Sequence, residues 1–136
     1  MSSIEQTLSI IKPDAVERNL SEEIKNIFLK NNLKISDSKK LEITKEEAAD
    51  FYKVHQSKPF FDALCNYLSS GPIIVMILEG NDAIKKNREI MGATDPKNAA
   101  PNTIRKLYGL SIDKNSVHGS DSVENAQKEI EFFFKN

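Results

Sequence analysis

The chain has 136 residues, 39% of them hydrophobic and 29% charged, which is enough apolar material for the core of one domain and too much for a disordered segment. Nineteen Lys and Arg oppose twenty Asp and Glu, a near balance that argues against bulk binding to nucleic acid or an anionic membrane while leaving room for a local basic pocket. The single cysteine, Cys65, excludes an internal disulfide, and two histidines are too few to expect a structural zinc site.

The first predicted element is a strand over 7–11 (TLSII), stopped by Lys12-Pro13 because proline restricts its predecessor and lacks a ladder donor. Leu20, Ile24, Ile27 and Phe28 then share one face of a helix. Asn19 with Glu22, or Ser21 with the acids after it, offers that helix a start, and Asn31-Asn32 an end. A second strand is expected within 33–43, followed by the capping-box pair Thr44 and Glu47 and a helix carrying Ala48, Phe51, Tyr52 and His55. Pro59 stands as first residue of the next helix, PFFDALCNYL. After the turn SSGP, the run IIVMIL (73–78) reads as a central strand covered on both faces, and it is far too short to cross a bilayer.

Asn81 or Asp82 is expected to cap the helix DAIKKNREIM, and GATDPKNAAP (92–101) is a loop long enough to be functional. A short helix over 103–108 and a short strand at Val117-His118 follow. Ser122 then caps a last helix with Val123, Ala126, Ile130, Phe133 and Phe134 on one face. The order β-α-β-α-α-β-α-β-α predicts a single α+β domain over 1–136. Its expected form is a ferredoxin-like αβ sandwich with a four-stranded, mainly antiparallel sheet covered by helices. The N-terminus lacks the basic start and long apolar core of a secretion signal, so a soluble cytoplasmic protein is expected.

The stretch NSVHGSDS (115–122) holds one of the two histidines among small polar residues, none large enough to bury an imidazole. A neutral imidazole can attack an electrophile through a ring nitrogen, and small neighbours leave space for a phosphoryl group. Ser120 and the backbone donors at the start of the last helix are candidates to hold anionic oxygens, and Glu129, two turns along it, to orient the ring. An ordinary surface histidine is the competing reading of His118, and a structural or surface role is expected for His55. Phosphate cargo would require cations, with Lys12 at a strand end, Arg88 and Arg105 as candidates, although each also reads as a solvated surface charge. The Walker, GxGxxG, HRD and DFG patterns are absent, so phosphates would be gripped by side chains rather than a glycine-rich cradle. Phe60 and Phe61 read first as core, with base stacking as the other option.

Several long segments resemble nucleoside diphosphate kinases: TLSIIKPDAV (7–16), FYKVHQSKPFF (51–61), SGPIIVMILEG (70–80), NREIMGATDP (87–96), TIR (103–105), NSVHGSDS (115–122) and EIEFFF (129–134). They span nearly the full length, and HGSDS beside an upstream Asn and KPDAV is highly specific to that family. The resemblance implies transfer of the terminal phosphate from a nucleoside triphosphate, typically ATP, to a diphosphate through a phosphohistidine on Nδ1 of His118. It implies phosphate and ribose contacts for Lys12, Arg88, Thr94, Arg105 and Asn115, and base stacking on Phe60. Tyr52 and Glu129 would support the histidine, with Ser120 beside it. Mg²⁺ is implied as cofactor, bridging phosphate oxygens with few protein ligands, so no protein metal site is expected.

Weak base discrimination follows from stacking, which reads a face common to all bases. The implied assembly is a homo-oligomer, a hexamer or tetramer built from a similar dimer, with neither membrane nor nucleic acid as main partner. Glu22, Asn32 and Asn102 stand where the family carries glycine, Lys106-Leu107-Tyr108 replaces an acidic-aromatic pair, and the chain stops soon after FFF. The alternatives are a catalytically inactive nucleotide- or nucleic-acid-binding regulatory relative, expected to lack the nucleophile or a clamp residue, and a phosphohistidine carrier serving a protein acceptor. Arg88, Arg105 and Phe60 together argue for a nucleotide acceptor.

Overall fold

The structure, a computed structural model, describes residues 4–53, 56–110, 114 and 116–134. The apolar run at 73–78 forms the heart of β3 (Ile73–Asn81), which lies inside the sheet between β1 (Ile4–Ile11) and β2 (Lys34–Leu41). Burial on both faces is what an uninterrupted apolar strand requires. The fourth strand, β4 (Val117–Gly119), extends the sheet along the free edge of β1, giving the order β2-β3-β1-β4 with every pair antiparallel.

Side chains alternate across these strands, so each feeds two cores. Leu8, Ile10, Ile73 and Val75 point to one face, where they pack with Ala48 of α3 (Lys45–Phe51), Cys65 and Leu68 of α4 (Phe61–Leu68) and Phe133 of α7 (Val123–Phe134). Ile11, Ile74, Met76, Leu78 and Val117 point to the other. There they meet Ala15 of α1 (Pro13–Glu17), Ile24 and Phe28 of α2 (Ser21–Lys30), Ala83 and Met91 of α5 (Ala83–Met91) and Ile104 of α6 (Ile104–Tyr108). This is the ferredoxin-like αβ sandwich.

Local signals act where the sequence places them in several cases. Thr44 accepts from the Glu47 amide at 3.1 Å while the Glu47 carboxylate accepts from the Thr44 amide at 2.9 Å. The Ser122 hydroxyl accepts from the Asn125 amide at 3.1 Å and so starts α7. Asn32 and Asn102 have φ of 65° and 71°, in the left-handed region that asparagine tolerates best after glycine.

Other expectations are corrected. Two helices, not one, join β1 to β2, because Pro13 opens the short α1 as its first residue. α2 starts with no side-chain cap; Leu20 fills the cap position and Asn19 turns the chain with φ of 61°. α4 begins at Phe61 rather than Pro59, which leaves Phe60 at its cap position. Asp82 precedes α5 in a left-handed conformation without capping it, and the Glu5 carboxylate of β1 accepts from the Ile84 amide at 2.9 Å instead. The 92–101 loop holds a 3-10 turn at Pro96–Asn98, capped by Asp95. Among the described residues no helix is long and apolar enough to cross a membrane.

Candidate active site

Alternation along β4 decides where His118 goes. Val117 turns into the α5-side core and is fully buried, so His118 turns to the opposite face, toward α3 and α7. There its Nε2 lies 2.8 Å from Oε1 of Glu129. A carboxylate oxygen only accepts, so in a neutral imidazole Nε2 carries the proton and Nδ1 keeps the lone pair. The same Oε1 accepts from the Ser120 hydroxyl at 3.1 Å, and that oxygen in turn accepts from the Leu8 amide at 3.3 Å. The orienting chain therefore runs from the β1 backbone through Ser120 and Glu129 to the imidazole. Phe51 and Tyr52 present their rings edge-on to His118, with centroids 5.3 and 6.4 Å away.

Gly119 has a steric reason. A Cβ there would run into the Asn87 amide and lie 2.7 Å from the Met91 Cε, so the close approach of β4 to α5 needs a residue without a side chain. The strand also receives Arg105, whose Nη2 donates to the Val117 carbonyl at 2.9 Å and Nη1 to the Gly92 carbonyl at 3.0 Å. Its Nε is buried with no partner.

Two clefts adjoin just past the end of β4. The smaller, about 270 Å³, is lined by His118, Gly119, Phe51, Tyr52, Glu129 and Phe132 among others. The larger, about 650 Å³, is lined by Arg88, Thr94, Arg105 and the Gly92–Ala93 backbone among others. Asp121 lines both, so the clefts adjoin at the residue after Ser120.

At this junction Arg88 and Arg105 stand in one cleft with Asp121, and Lys85, Glu5, Asp82 and Glu89 line the rest of it. Burial, and then the neighbouring Arg88, push the Arg105 guanidinium down to about 10, and it remains charged at neutral pH. Among the described residues neither arginine is in an ion pair. Two guanidinium groups brought together outside any ion pair keep donors that can receive an anion. The Asn125 side-chain bond, then a backbone hydrogen bond and the charge of Arg88, hold the Asp121 carboxyl below its ordinary range. Burial, aided by Glu129, drives the Tyr52 phenol far up, so it stays protonated.

The structure thus gathers His118, Tyr52 and Glu129 at one cleft, with Ser120 fully buried and bonded to Glu129, and Arg88, Thr94 and Arg105 at the adjoining one. Lys12 is nearly buried at the end of β1, with its amide donating to the Ser116 carbonyl at 2.8 Å. Phe60 lines neither cleft; it is half-exposed at the start of α4 with the Lys58 ammonium 5.7 Å from its ring centre. Asn115 and His55 lie outside the described residues. Sequence reasoning passed over Asp121, although it stands inside the quoted HGSDS, and Phe51, whose contact with His118 is made only in the fold. It also passed over Arg18, the third of three arginines, which is tied to Asp14 at 3.1 Å.

The model of the nucleoside diphosphate kinase family matches residues 5–136. The nucleoside diphosphate kinase of a Nitratiruptor species is 57% identical over 131 residues, which cover 96% of each chain, and that of Wolinella succinogenes is 54% identical over the same coverage. Among solved structures, the Aquifex aeolicus nucleoside diphosphate kinase superposes with a TM-score of 0.96 at 44% identity, covering 98% of this chain and 97% of that one. The Encephalitozoon cuniculi enzyme gives 0.94 at 38% identity, covering 97% and 90%. The chain belongs to the nucleoside diphosphate kinase family, and its activity is the transfer of a terminal phosphate from a nucleoside triphosphate to a nucleoside diphosphate.

Proposed function

We propose that this transfer runs through a covalent phosphate on Nδ1 of His118. The observation that carries the reading is the 2.8 Å contact of His118 Nε2 with Glu129, which occupies one ring nitrogen as donor and leaves the other as nucleophile. In the first half-reaction the Nδ1 lone pair forms the N–P bond as the bond to the leaving diphosphate oxygen breaks. The Glu129 carboxylate offsets the positive charge that then develops on the ring, as an orienting carboxylate does in other histidine-based sites. In the second half-reaction a terminal oxygen of another nucleoside diphosphate attacks the same phosphorus and the imidazole departs with its lone pair. Atoms balance across the cycle, and one nucleotide must leave before the next collects the phosphate.

Arg88, Arg105 and Thr94 are assigned to the phosphates, with Lys12 and the Tyr52 hydroxyl completing the polar surround and Ser120 holding Glu129. Asn115 and Phe60 are assigned to the ribose and phosphate end and to the base. Mg²⁺ fits the Asp121 carboxylate, an oxygen donor that stands where the two clefts meet. Asp121 would help hold the ion beside a bound nucleotide, where it would supply positive charge against that of the phosphates. We assign the enzyme to the cytoplasm as a homo-oligomer, a hexamer or tetramer built from dimers.

Initial rates with ATP varied at several fixed concentrations of a second nucleoside diphosphate test the mechanism. Parallel reciprocal plots are expected, together with a loss of at least about a thousandfold in kcat for His118→Ala, as for removal of other covalent nucleophiles. Intersecting plots, or an active His118→Ala, would replace the covalent route with direct transfer.

A further inference from the structure

Asp14 sits in the first turn of α1 and is nearly buried, yet no step described above uses it. Its Oδ1 accepts from the Tyr67 hydroxyl of α4. Its Oδ2 accepts from the Ser116 hydroxyl at 3.0 Å and from Arg18 Nη2 at 3.1 Å. Arg18 also reaches back to the Asp14 carbonyl at 3.1 Å and across to the Tyr108 carbonyl at the end of α6. One carboxylate therefore gathers α1, α4 and the approach to β4.

Ser116 explains the use of such a group. It is fully buried and has φ of 76°, a left-handed conformation that residues other than glycine, asparagine and aspartate seldom adopt. Its carbonyl accepts the Lys12 amide at 2.8 Å. Lys12 lies two residues before Asp14, and His118 two residues after Ser116. The Asp14–Ser116 bond and the Lys12–Ser116 bond thus staple together the two chain segments that deliver the cation and the imidazole. A turn bent this way at Ser116 fixes the direction in which β4 starts, and with it the face on which His118 emerges.

We propose that Asp14 is a positioning residue for phosphoryl transfer: by hydrogen-bonding the Ser116 hydroxyl it holds the left-handed turn that aims His118 beside Lys12. This rests on His118 as the phosphorylated group. A purely structural Asp14 would set how much denaturant the fold withstands; a positioning Asp14 also sets the rate of phosphoryl transfer in protein that is fully folded.

The test is the single-turnover rate of protein phosphorylation by γ-labelled ATP and Mg²⁺. It is run on the wild type, Asp14→Asn, Ser116→Ala, Ser116→Gly and the double variant Asp14→Asn/Ser116→Gly, each checked for native circular dichroism. Asp14→Asn and Ser116→Ala are expected to slow the step about tenfold, the size of one hydrogen bond to a charged group, with the nucleotide KM nearly unchanged. Ser116→Gly takes the left-handed conformation unaided and is expected to stay within about threefold of wild type. In that background Asp14→Asn should cost less than about twofold in rate, although it still lowers thermal stability through the unpaired Arg18. Equal slowing by Asp14→Asn in both backgrounds, or a change in thermal midpoint with no change in rate, overturns the proposal while leaving His118 in place. A wild type that takes no label overturns both.

Discussion

Glu129 carries more than one duty at the site: its Oε1 accepts from the imidazole and from Ser120, and its position on α7 sets where both donors lie. Glu129→Gln keeps the shape and removes the charge. Since hydrogen bonds to charged groups contribute about 1.5–3 kcal/mol, kcat should fall roughly ten- to a hundredfold. The KM for the nucleotide should change little, because Glu129 does not line the larger cleft. An unchanged kcat, read in a steady-state assay, would show that the ring is held by other means. At this scale the sequence was informative about residue types and silent about contacts. His118 stood out because its neighbours are small. The edge-on Phe51 and the Asp14–Ser116 bond join residues 67 and 102 positions apart, and no local pattern announces such pairs.

Elements whose start is written in a few adjacent side chains were legible. Thr44 with Glu47 and Ser122 with Asn125 make the bonds their spacing suggests, and the continuous apolarity of 73–78 led to an interior strand. The starts of α2, α4 and α5 were misread for a common reason. Each candidate cap lost to a partner or conformation set elsewhere: a left-handed Asn19, a chain that reaches helical geometry only after Phe60, and a Glu5 carboxylate arriving from β1. Ser122→Ala tests the legible case. It removes one cap bond from an exposed helix start and should cost about 1 kcal/mol in urea unfolding, with kcat nearly unchanged because Glu129 lies two turns further on. A destabilisation several times larger would mean that Ser122 also holds the Asp121 junction.

The whole molecule places His118 and the Arg88–Arg105 pair on neighbouring clefts that adjoin just past one short edge strand. The division into two clefts was not legible, because it depends on α5, α6 and α7 all converging on β4. Burial has a global consequence at high pH. The Tyr52 and Tyr67 phenols are both raised above the ordinary 10.0, by burial first and then by Glu129 and Asp14 respectively. Above pH 10 the unfolded chain ionises these groups while the folded protein keeps them protonated. The unfolded state then binds fewer protons, and stability falls as pH rises through that range. Arg105, held at about 10 against 12.5, acts in the opposite sense, since there the unfolded state binds more protons. The expected outcome is a net alkaline loss that becomes shallower in Tyr52→Phe/Tyr67→Phe, measured as thermal midpoint between about pH 9 and 11. A slope unaltered by the double substitution would remove the phenols from the account.

The central claim, a phosphate carried on His118 between nucleotides, is tested most directly by isolating the intermediate. The protein is mixed with γ-labelled ATP and Mg²⁺, freed of nucleotide, and then given unlabelled GDP. Acid-labile, alkali-stable label that sits on the Nδ1 isomer of phosphohistidine, passes to GTP and is missing from His118→Ala is the result expected. A folded protein that makes GTP without ever holding label, or holds it on another residue, would contradict the account.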